Sequence, residues 1–551
     1  MRTCPRTRSA ASTLFCLLFA LLIAAGCSAP LVPAAREPAV ERSELSDTQL
    51  LDRLHDQWLR LGNRRLSEQE RRALVDAYNA DLLLLLRRLR HDVIDDGRYE
   101  TPFLQLIDFR DETVSLKLIE VYDDLVPAVD IPISELEERY VGGGLGVPVV
   151  GIIPAEKLRS LQGRRPVRSK GTVNALTAVL EFPQGKGKPV MRLCAPSRSD
   201  VVEVGRVRYS LAHDFSAALE LYWNLTNLKE GRLLGLLRPQ ELRDVTGLSC
   251  IESYDPEKIP VILTHGLMSS AETFSQLVNR LVADPDIYRH YQFWYYNYPT
   301  GVAWTVTAAQ LRADLKRTRK ELDPHHRNRN WDRLVLVGHS MGGLITHYNQ
   351  CEEPWMLLRN VDVLKTDIRP FLDRRYVHQP FENAEYEKLR SLFYFEPIKA
   401  GLVIYMATPH RGAPMADYGV VTFFRKLVQL PENMVTELLA IATLQQDSLL
   451  TNPEKIKTWF TSVGQLSPDS WSIHALSGMK MRPSRTYSVI GWCRGRELAR
   501  SSDGVVPYWS SHLPKGEEFV VCSGHSVQDK KQTAALLRTL LRDYLKSLGI
   551  H

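Results

Sequence analysis

Charge of one sign is scarce in this chain. Its 70 Lys and Arg against 64 Asp and Glu leave a formal net charge of only +6 over 551 residues. No basic tract is interleaved with aromatics, so no nucleic-acid partner is expected. Metal-ligand spacing is missing as well: neither C-x-x-C nor His-x-x-x-His occurs, and no metal or other cofactor is expected. The apolar stretch Leu14 to Ala25 is too short to span a bilayer comfortably. There is no internal repeat and no long low-complexity tract. What remains is an ordinary globular mix, 44% hydrophobic and 24% charged, long enough for several domains with sizeable cores.

Arg2, Arg6 and Arg8 precede the apolar stretch, the pattern of an export signal. It ends Leu22-Ile23-Ala24-Ala25-Gly26-Cys27, which resembles a bacterial lipobox, with Ala24 standing where that pattern usually has leucine. The resemblance implies cleavage before Cys27 and a lipid on its sulfur. The protein would then sit on a membrane as a lipoprotein, at the bacterial outer membrane or facing the periplasm. An ordinary secretory signal with an incidental cysteine is the alternative. Residues 1–26 are read as signal and 27–44, with its Ala- and Pro-rich run, as a tether. Several acyl chains on one cysteine would hold durably, at ~0.8 kcal/mol per buried methylene. Beyond Cys27 five cysteines remain, Cys194, Cys250, Cys351, Cys493 and Cys522, and an odd number leaves at least one thiol free. A bridge between Cys493 and Cys522 is one expected pairing.

Residues 45–95 carry a helical pattern. Leu50, Leu51, Leu54, Trp58 and Leu61 recur at three- and four-residue intervals before Gly62. Ser67-Glu68-Gln69-Glu70 then reads as a capping box opening a second helix. Residues 96–250 have the texture of a β-rich accessory domain, with strands expected at 114–118, 174–182 and 207–211. Gly142 to Gly146 lacks the helix and acidic residue of a dinucleotide loop and is read as a flexible turn. From 251 to 551, apolar runs alternate with long amphipathic segments, as in a mostly parallel sheet flanked by helices.

Within that half, Leu334-Val335-Leu336-Val337 reads as a buried strand and runs straight into Gly338-His339-Ser340-Met341-Gly342-Gly343. G-x-S-x-G between a strand and a helix is a nucleophile elbow. Its glycines are steric requirements, because side chains there would collide with the flanking strand or helix. Ile259 to Thr264 is an upstream strand followed by His265-Gly266-Leu267. The loop after such a strand supplies one backbone N–H to an oxyanion hole, and the residue after the nucleophile supplies the other. Leu267 (with Met268 as fallback) and Met341 are the candidates, and His265 is expected to shape the loop. A serine also needs a histidine to take its proton and a carboxylate to orient that histidine. In the order Ser, Asp, His, the candidates are Asp503 in Ser501-Ser502-Asp503-Gly504 and His525 in Ser523-Gly524-His525-Ser526, each in a loop after a strand. His474 and His512 are rivals that follow no final strand. A helix from about 528 to 548 is expected to close the chain.

His265-Gly266, Gly338 to Gly343, Ala407-Thr408-Pro409-His410-Arg411-Gly412 and Asp503-Gly504-Val505-Val506 together resemble bacterial lipases and lipase-like α/β-hydrolases. That family also takes in proteins similar to GPI inositol-deacylases. The resemblance covers about residues 255–550. It implies an α/β-hydrolase fold with cap insertions, here near 352–399 and 416–480, and the cleavage of carboxylic esters by a Ser340–Asp503–His525 triad. In such relatives the Ala407–Gly412 segment lies near the active-site mouth, so His410 and Arg411 are read as architectural. An ester is the expected substrate, with a lipid ester as one candidate. An acyltransferase using the same triad, or a membrane-anchored binding protein on an inactive hydrolase scaffold, are the alternatives. Apolar residues between Val420 and Ala442 suit an amphipathic lid or a packed helix equally, and Phe293 to Pro299 is read as a core strand.

Overall fold

Strands that must be buried on both faces have nowhere to put polar side chains, and the apolar runs of the second half obey that constraint. In the computed structural model they form a seven-stranded sheet. Its strands are β10 (Gly247–Cys250), β11 (Ile259–Thr264), β12 (Tyr291–Asn297), β13 (Leu334–His339), β14 (Ala400–Met406), β15 (Arg485–Gly491) and β16 (Glu517–Val521), in the order β10-β12-β11-β13-β14-β15-β16. Only the β10–β12 pair is antiparallel. Alternate residues serve two cores. Val261, Leu263, Val335 and Val337 face one, while Ile262, Leu334 and Leu336 face the other. The aromatic run Tyr291–Asn297 is buried throughout as β12.

The structure describes residues 45–96, 105–108, 122–154, 171–183, 189–226, 246–354, 356, 391–414 and 464–550. The signal, Cys27, the tether, the strand expected at 114–118, the 420–442 segment and most of both cap insertions lie outside the described residues. Among those described, no helix is long and apolar enough to cross a membrane. By its contacts the chain divides into a short unit ending at Arg53 and a large unit, Leu54–His551, which holds both main sheets and the site.

Two helices open the described chain, α1 (Asp47–Leu61) and α2 (Glu68–Asp96). The capping box forms as the residue types dictate. Ser67 N–H donates to the Glu70 carboxylate at 2.8 Å, and Glu70 N–H donates to Ser67 Oγ at 3.3 Å. The following region builds a five-stranded mixed sheet in the order β1-β6-β5-β4-β2 from β1 (Gln105–Asp108), β2 (Asp124–Pro127), β4 (Val147–Ile153), β5 (Thr172–Glu181) and β6 (Val190–Cys194). Two short ribbons accompany it, β3 (Val141–Gly142) with β9 (His213–Asp214) and β7 (Val201–Val204) with β8 (Val207–Ser210). The glycine-rich turn is clasped by α2. Asn79 donates to the Gly144 carbonyl and accepts from Gly146 N–H, both at 2.8 Å.

One face of this sheet shares its core with the larger sheet. Val126, Val150, Val173 and Ala175 share one apolar cluster with β11 and β12, joined through α3 (Phe215–Thr226). Trp223 of α3 meets Tyr295 of β12 edge-on at 4.9 Å. Polar contacts seal the same junction. Arg280 of α4 (Ser275–Val282) pairs with Glu137 and Glu138 while donating to the Asp529 carbonyl at 2.6 Å. Lys531, which opens α7 (Lys531–Ser547), pairs with Glu138 from the other side. That last helix starts three residues later than its sequence pattern suggests, because Val527–Asp529 winds as a 3-10 turn. The Cys493–Cys522 bridge is not formed. Cys493 is a free thiol whose Sγ lies 3.6 Å from the Ser502 carbonyl oxygen.

Lys531, Tyr140 and Arg280, in that order of effect, hold the Glu138 carboxyl down at about 2, against 4.5 ordinarily. A depressed carboxyl stabilises the fold above its unfolded value and stops doing so as pH falls through its folded value. Glu138→Gln is therefore expected to lower the melting temperature at pH 7. The wild-type and variant curves should converge as pH drops from about 4.5 toward 2. Parallel curves across that window would contradict the assignment.

Candidate active site

β13 delivers Ser340 at its C-terminal end, where parallel sheets gather their sites. The serine takes φ 54° and ψ −124°, a left-handed backbone that costs a non-glycine residue about 1–3 kcal/mol. Its N–H donates to the Met406 carbonyl of β14 at 2.9 Å, and Gly343 N–H closes on the Ser340 carbonyl at 2.9 Å. A Cβ at Gly338 would stand 2.6 Å from the Gly342 oxygen, and one at Gly342 would overlap the carbonyls of Thr264 and His265. Only glycine lets strand, turn and α5 (Met341–Tyr348) pass so closely.

Asp503 and His525 converge on this turn from loops after β15 and β16. His525 Nε2 lies 2.9 Å from Ser340 Oγ, and its Nδ1 lies 2.8 Å from Asp503 Oδ2. Asp503 is buried, and its other oxygen accepts N–H groups from Val505 at 2.8 Å and Val506 at 2.7 Å. An ionised carboxylate can only accept, so the imidazole carries its proton on Nδ1 and turns the Nε2 lone pair toward the serine. This is the protonation pattern that lets a histidine take a proton from a hydroxyl.

The two candidate oxyanion donors differ in how they are kept free. Met341 is the first residue of α5, so its N–H has no partner within the helix and sits at the electropositive end of the helix dipole. Upstream, Met268 has φ 53° and donates its N–H to Thr300 Oγ1 at 3.3 Å. That leaves Met268 occupied, while Leu267 N–H donates to no group among the described residues. The geometry thus favours Leu267 over its fallback. His265 stacks on Tyr298 at 4.2 Å, and the Tyr298 hydroxyl donates to the His265 carbonyl, so both act on the loop's shape.

The other titratable candidates are engaged elsewhere. His512 is bound to Glu518, and His474 lies exposed on α6 (Trp471–Gly478), whose Ile473 and Leu476 pack into the core. His410 is buried against His347, with the two Nδ1 atoms 2.9 Å apart. Burial lowers both, His347 to about 4 and His410, with His347 and Arg411 adding to the effect, well below the ordinary imidazole value. Arg411 ties its N–H to Ser510 and its guanidinium to the carbonyls of Trp509 and His512. Thr408 reaches the Gly338 carbonyl at 3.5 Å, which packs the Ala407–Gly412 segment directly behind the elbow. No cluster of three or more metal-ligating side chains occurs among the described residues.

Two residues at the site carried no signal that the motifs could flag. Thr300 follows the aromatic strand, and only its place at a strand's C-terminal end pointed to it. His339 fills the unrestricted second position of G-x-S-x-G, yet its Nε2 lies 3.0 Å from the His525 carbonyl oxygen. Burial first, and then the neighbouring His525, depress His339 to about 3.

A nucleophile elbow on the central strands of a mostly parallel sheet, with Asp and His in later loops, is the arrangement of the α/β-hydrolase class. No protein-family model and no curated protein sequence matches the chain. Among solved structures it is similar to the mature lipase BlEst2 of Bacillus licheniformis, at 14% identity over 53% of this chain and 95% of that one, with a TM-score of 0.31. The lipase of Staphylococcus hyicus gives the same identity, coverage and TM-score. Lipase 1 of Pelosinus fermentans follows at 13% identity over 52% of this chain and 98% of that one, with a TM-score of 0.30. These neighbours are lipases, but at such values the likeness says nothing of substrate or activity.

Thr300→Val keeps the shape and removes the acceptor for Met268 N–H. It is expected to lower kcat by up to about 100-fold with little change in KM, as a displaced oxyanion donor does. Thr300→Ser should restore most of the rate. Equal rates in all three proteins would remove Thr300 from the loop's support.

Proposed function

We propose that the protein is a serine hydrolase cleaving carboxylic esters, with Ser340 as nucleophile, His525 as general base and Asp503 as the carboxylate that orients it. The single observation carrying this reading is the hydrogen-bonded row from Asp503 Oδ2 through both ring nitrogens of His525 to Ser340 Oγ. His525 takes the hydroxyl proton as Ser340 Oγ bonds to the ester carbonyl carbon. The N–H groups of Leu267 and Met341 hold the oxyanion that forms. His525 then passes its proton to the departing alcohol, and water, deprotonated by the same ring, releases the acid and restores Ser340. The motif resemblance to lipases and inositol-deacylase-like hydrolases supports an ester of a lipid as the substrate. Export and attachment to a membrane through a lipid on Cys27 belong to the same proposal and rest on the first 27 residues alone.

A fluorophosphonate reports an activated serine without presuming the substrate. The full chain is expected to label, and Ser340→Ala to lose both labelling and ester turnover by a factor on the order of 10⁴ or more. A panel of acyl-chain lengths then ranks substrates, and addition of an alcohol acceptor distinguishes acyl transfer from hydrolysis by the ester it yields. A folded wild type that never labels would contradict the hydrolase reading and favour a binding protein on an idle scaffold. The intact mass of the mature chain decides the anchoring part, which requires a start at Cys27 plus acyl chains.

A further inference from the structure

We infer that His339 is a positioning residue, whose Nε2–H ties the backbone of His525 to the strand that carries the nucleophile. The inference rests on the hydrolase reading for its kinetic consequence, but the contact itself does not. A carbonyl oxygen can only accept, so at 3.0 Å from the His525 oxygen the His339 Nε2 must bear the hydrogen. The ring is buried, and its other nitrogen, Nδ1, has no partner among the described residues. A buried acceptor without a donor is unfavourable, but the opposite tautomer is worse, since it would bury an Nδ1–H without an acceptor and set the Nε2 lone pair against the carbonyl oxygen. The ring is therefore committed to one donor and one acceptor, and its acceptor is the backbone of the general base.

The consequence is geometric. Ser340 and His525 follow β13 and β16, three strands apart in the sheet, and no ladder bond joins those two strands directly. His339 is the last residue of β13 and adjoins Ser340 in sequence, so its bond to His525 spans the gap with one covalent neighbour and one hydrogen bond. The His525 carbonyl also accepts Val527 N–H at 3.0 Å, a tight three-residue turn just ahead of the 3-10 turn Val527–Asp529. With both contacts made, the imidazole is held in place from its backbone, while Asp503 sets only the ring's tautomer and rotation. Because burial keeps His339 uncharged, it fixes the base without adding a competing positive charge 5.0 Å away.

The test uses the full chain with His339→Phe, which keeps a ring and lacks the donor, and His339→Gln, whose amide can reach the same carbonyl. His339→Phe is expected to lower kcat by about tenfold to 100-fold, the scale of a slight misplacement of a catalytic group, with KM within about twofold. His339→Gln should recover to within about threefold of wild type, and the fluorophosphonate labelling rate should follow kcat. Wild-type kinetics in His339→Phe would overturn the inference, as would equal losses in both variants. Selective ¹⁵N-histidine labelling of the wild type, with the signal assigned by its loss in His339→Gln, tests the contact even if His339→Phe does not fold. A neutral Nε2–H tautomer that persists from pH 8 down to about 5 is expected. An Nδ1–H tautomer, or protonation in that range, would overturn it. Failure of the wild type to label at all would sink the hydrolase reading, and the tautomer alone would then decide the contact.

Discussion

The site depends on one strained turn. Ser340 holds a backbone conformation that serine ordinarily avoids, and it does so because a hydrogen bond on each side and a glycine on each side leave it nowhere else to go. The same turn ends a strand, begins a helix and lifts the hydroxyl above the sheet. Relaxing it would move Oγ away from His525, and it would also rotate the Met341 N–H that opens α5. The Ser340 hydroxyl and the Met341 N–H are thus set by a single pair of dihedral angles. That coupling explains why the packing behind the turn is so close, with Thr408 from the neighbouring strand's loop pressed against the Gly338 carbonyl.

The N-terminal half bears on this turn from a distance. Its sheet covers one face of the β11–β12 region with the apolar cluster that α3 completes, so removing it would expose Tyr295, Tyr288 and their neighbours to water. Its acidic Glu137 and Glu138 also reach the far side of the His525 loop through Arg280 and Lys531. Arg280 is almost fully buried, and burying a guanidinium is costly unless acceptors surround it. Here those acceptors come from both halves of the chain, so the second half alone would leave that guanidinium short of partners.

Much of this arrangement was legible in the chain because its signals are local. The buried β13 run, the glycines around Ser340 and the capping box at Ser67 each lie within a few residues, and each has a steric or hydrogen-bonding cause. Asp503 and His525 were legible only through order and placement after strands, since a lone Asp-Gly or Gly-His-Ser turn has no chemistry written in it. The core shared between the two halves was not legible, because nothing local to Val126, Val173 or Phe215 names the residues they pack against. His339 and Thr300 escaped for a related reason. Motifs constrain the residues that react, whereas these two act through backbone groups of residues far away in sequence. Cys493 misled, because closeness to a site in sequence says nothing of the geometry that a disulfide needs.

The most direct measurement is the crystal structure of the protein after reaction with a fluorophosphonate. The account predicts a bond from phosphorus to Ser340 Oγ and a phosphoryl oxygen within about 2.7–3.1 Å of both the Leu267 and Met341 nitrogens, with the Ser340 backbone still left-handed. An adduct on another residue would contradict it. So would a phosphoryl oxygen turned to solvent with both N–H groups unengaged.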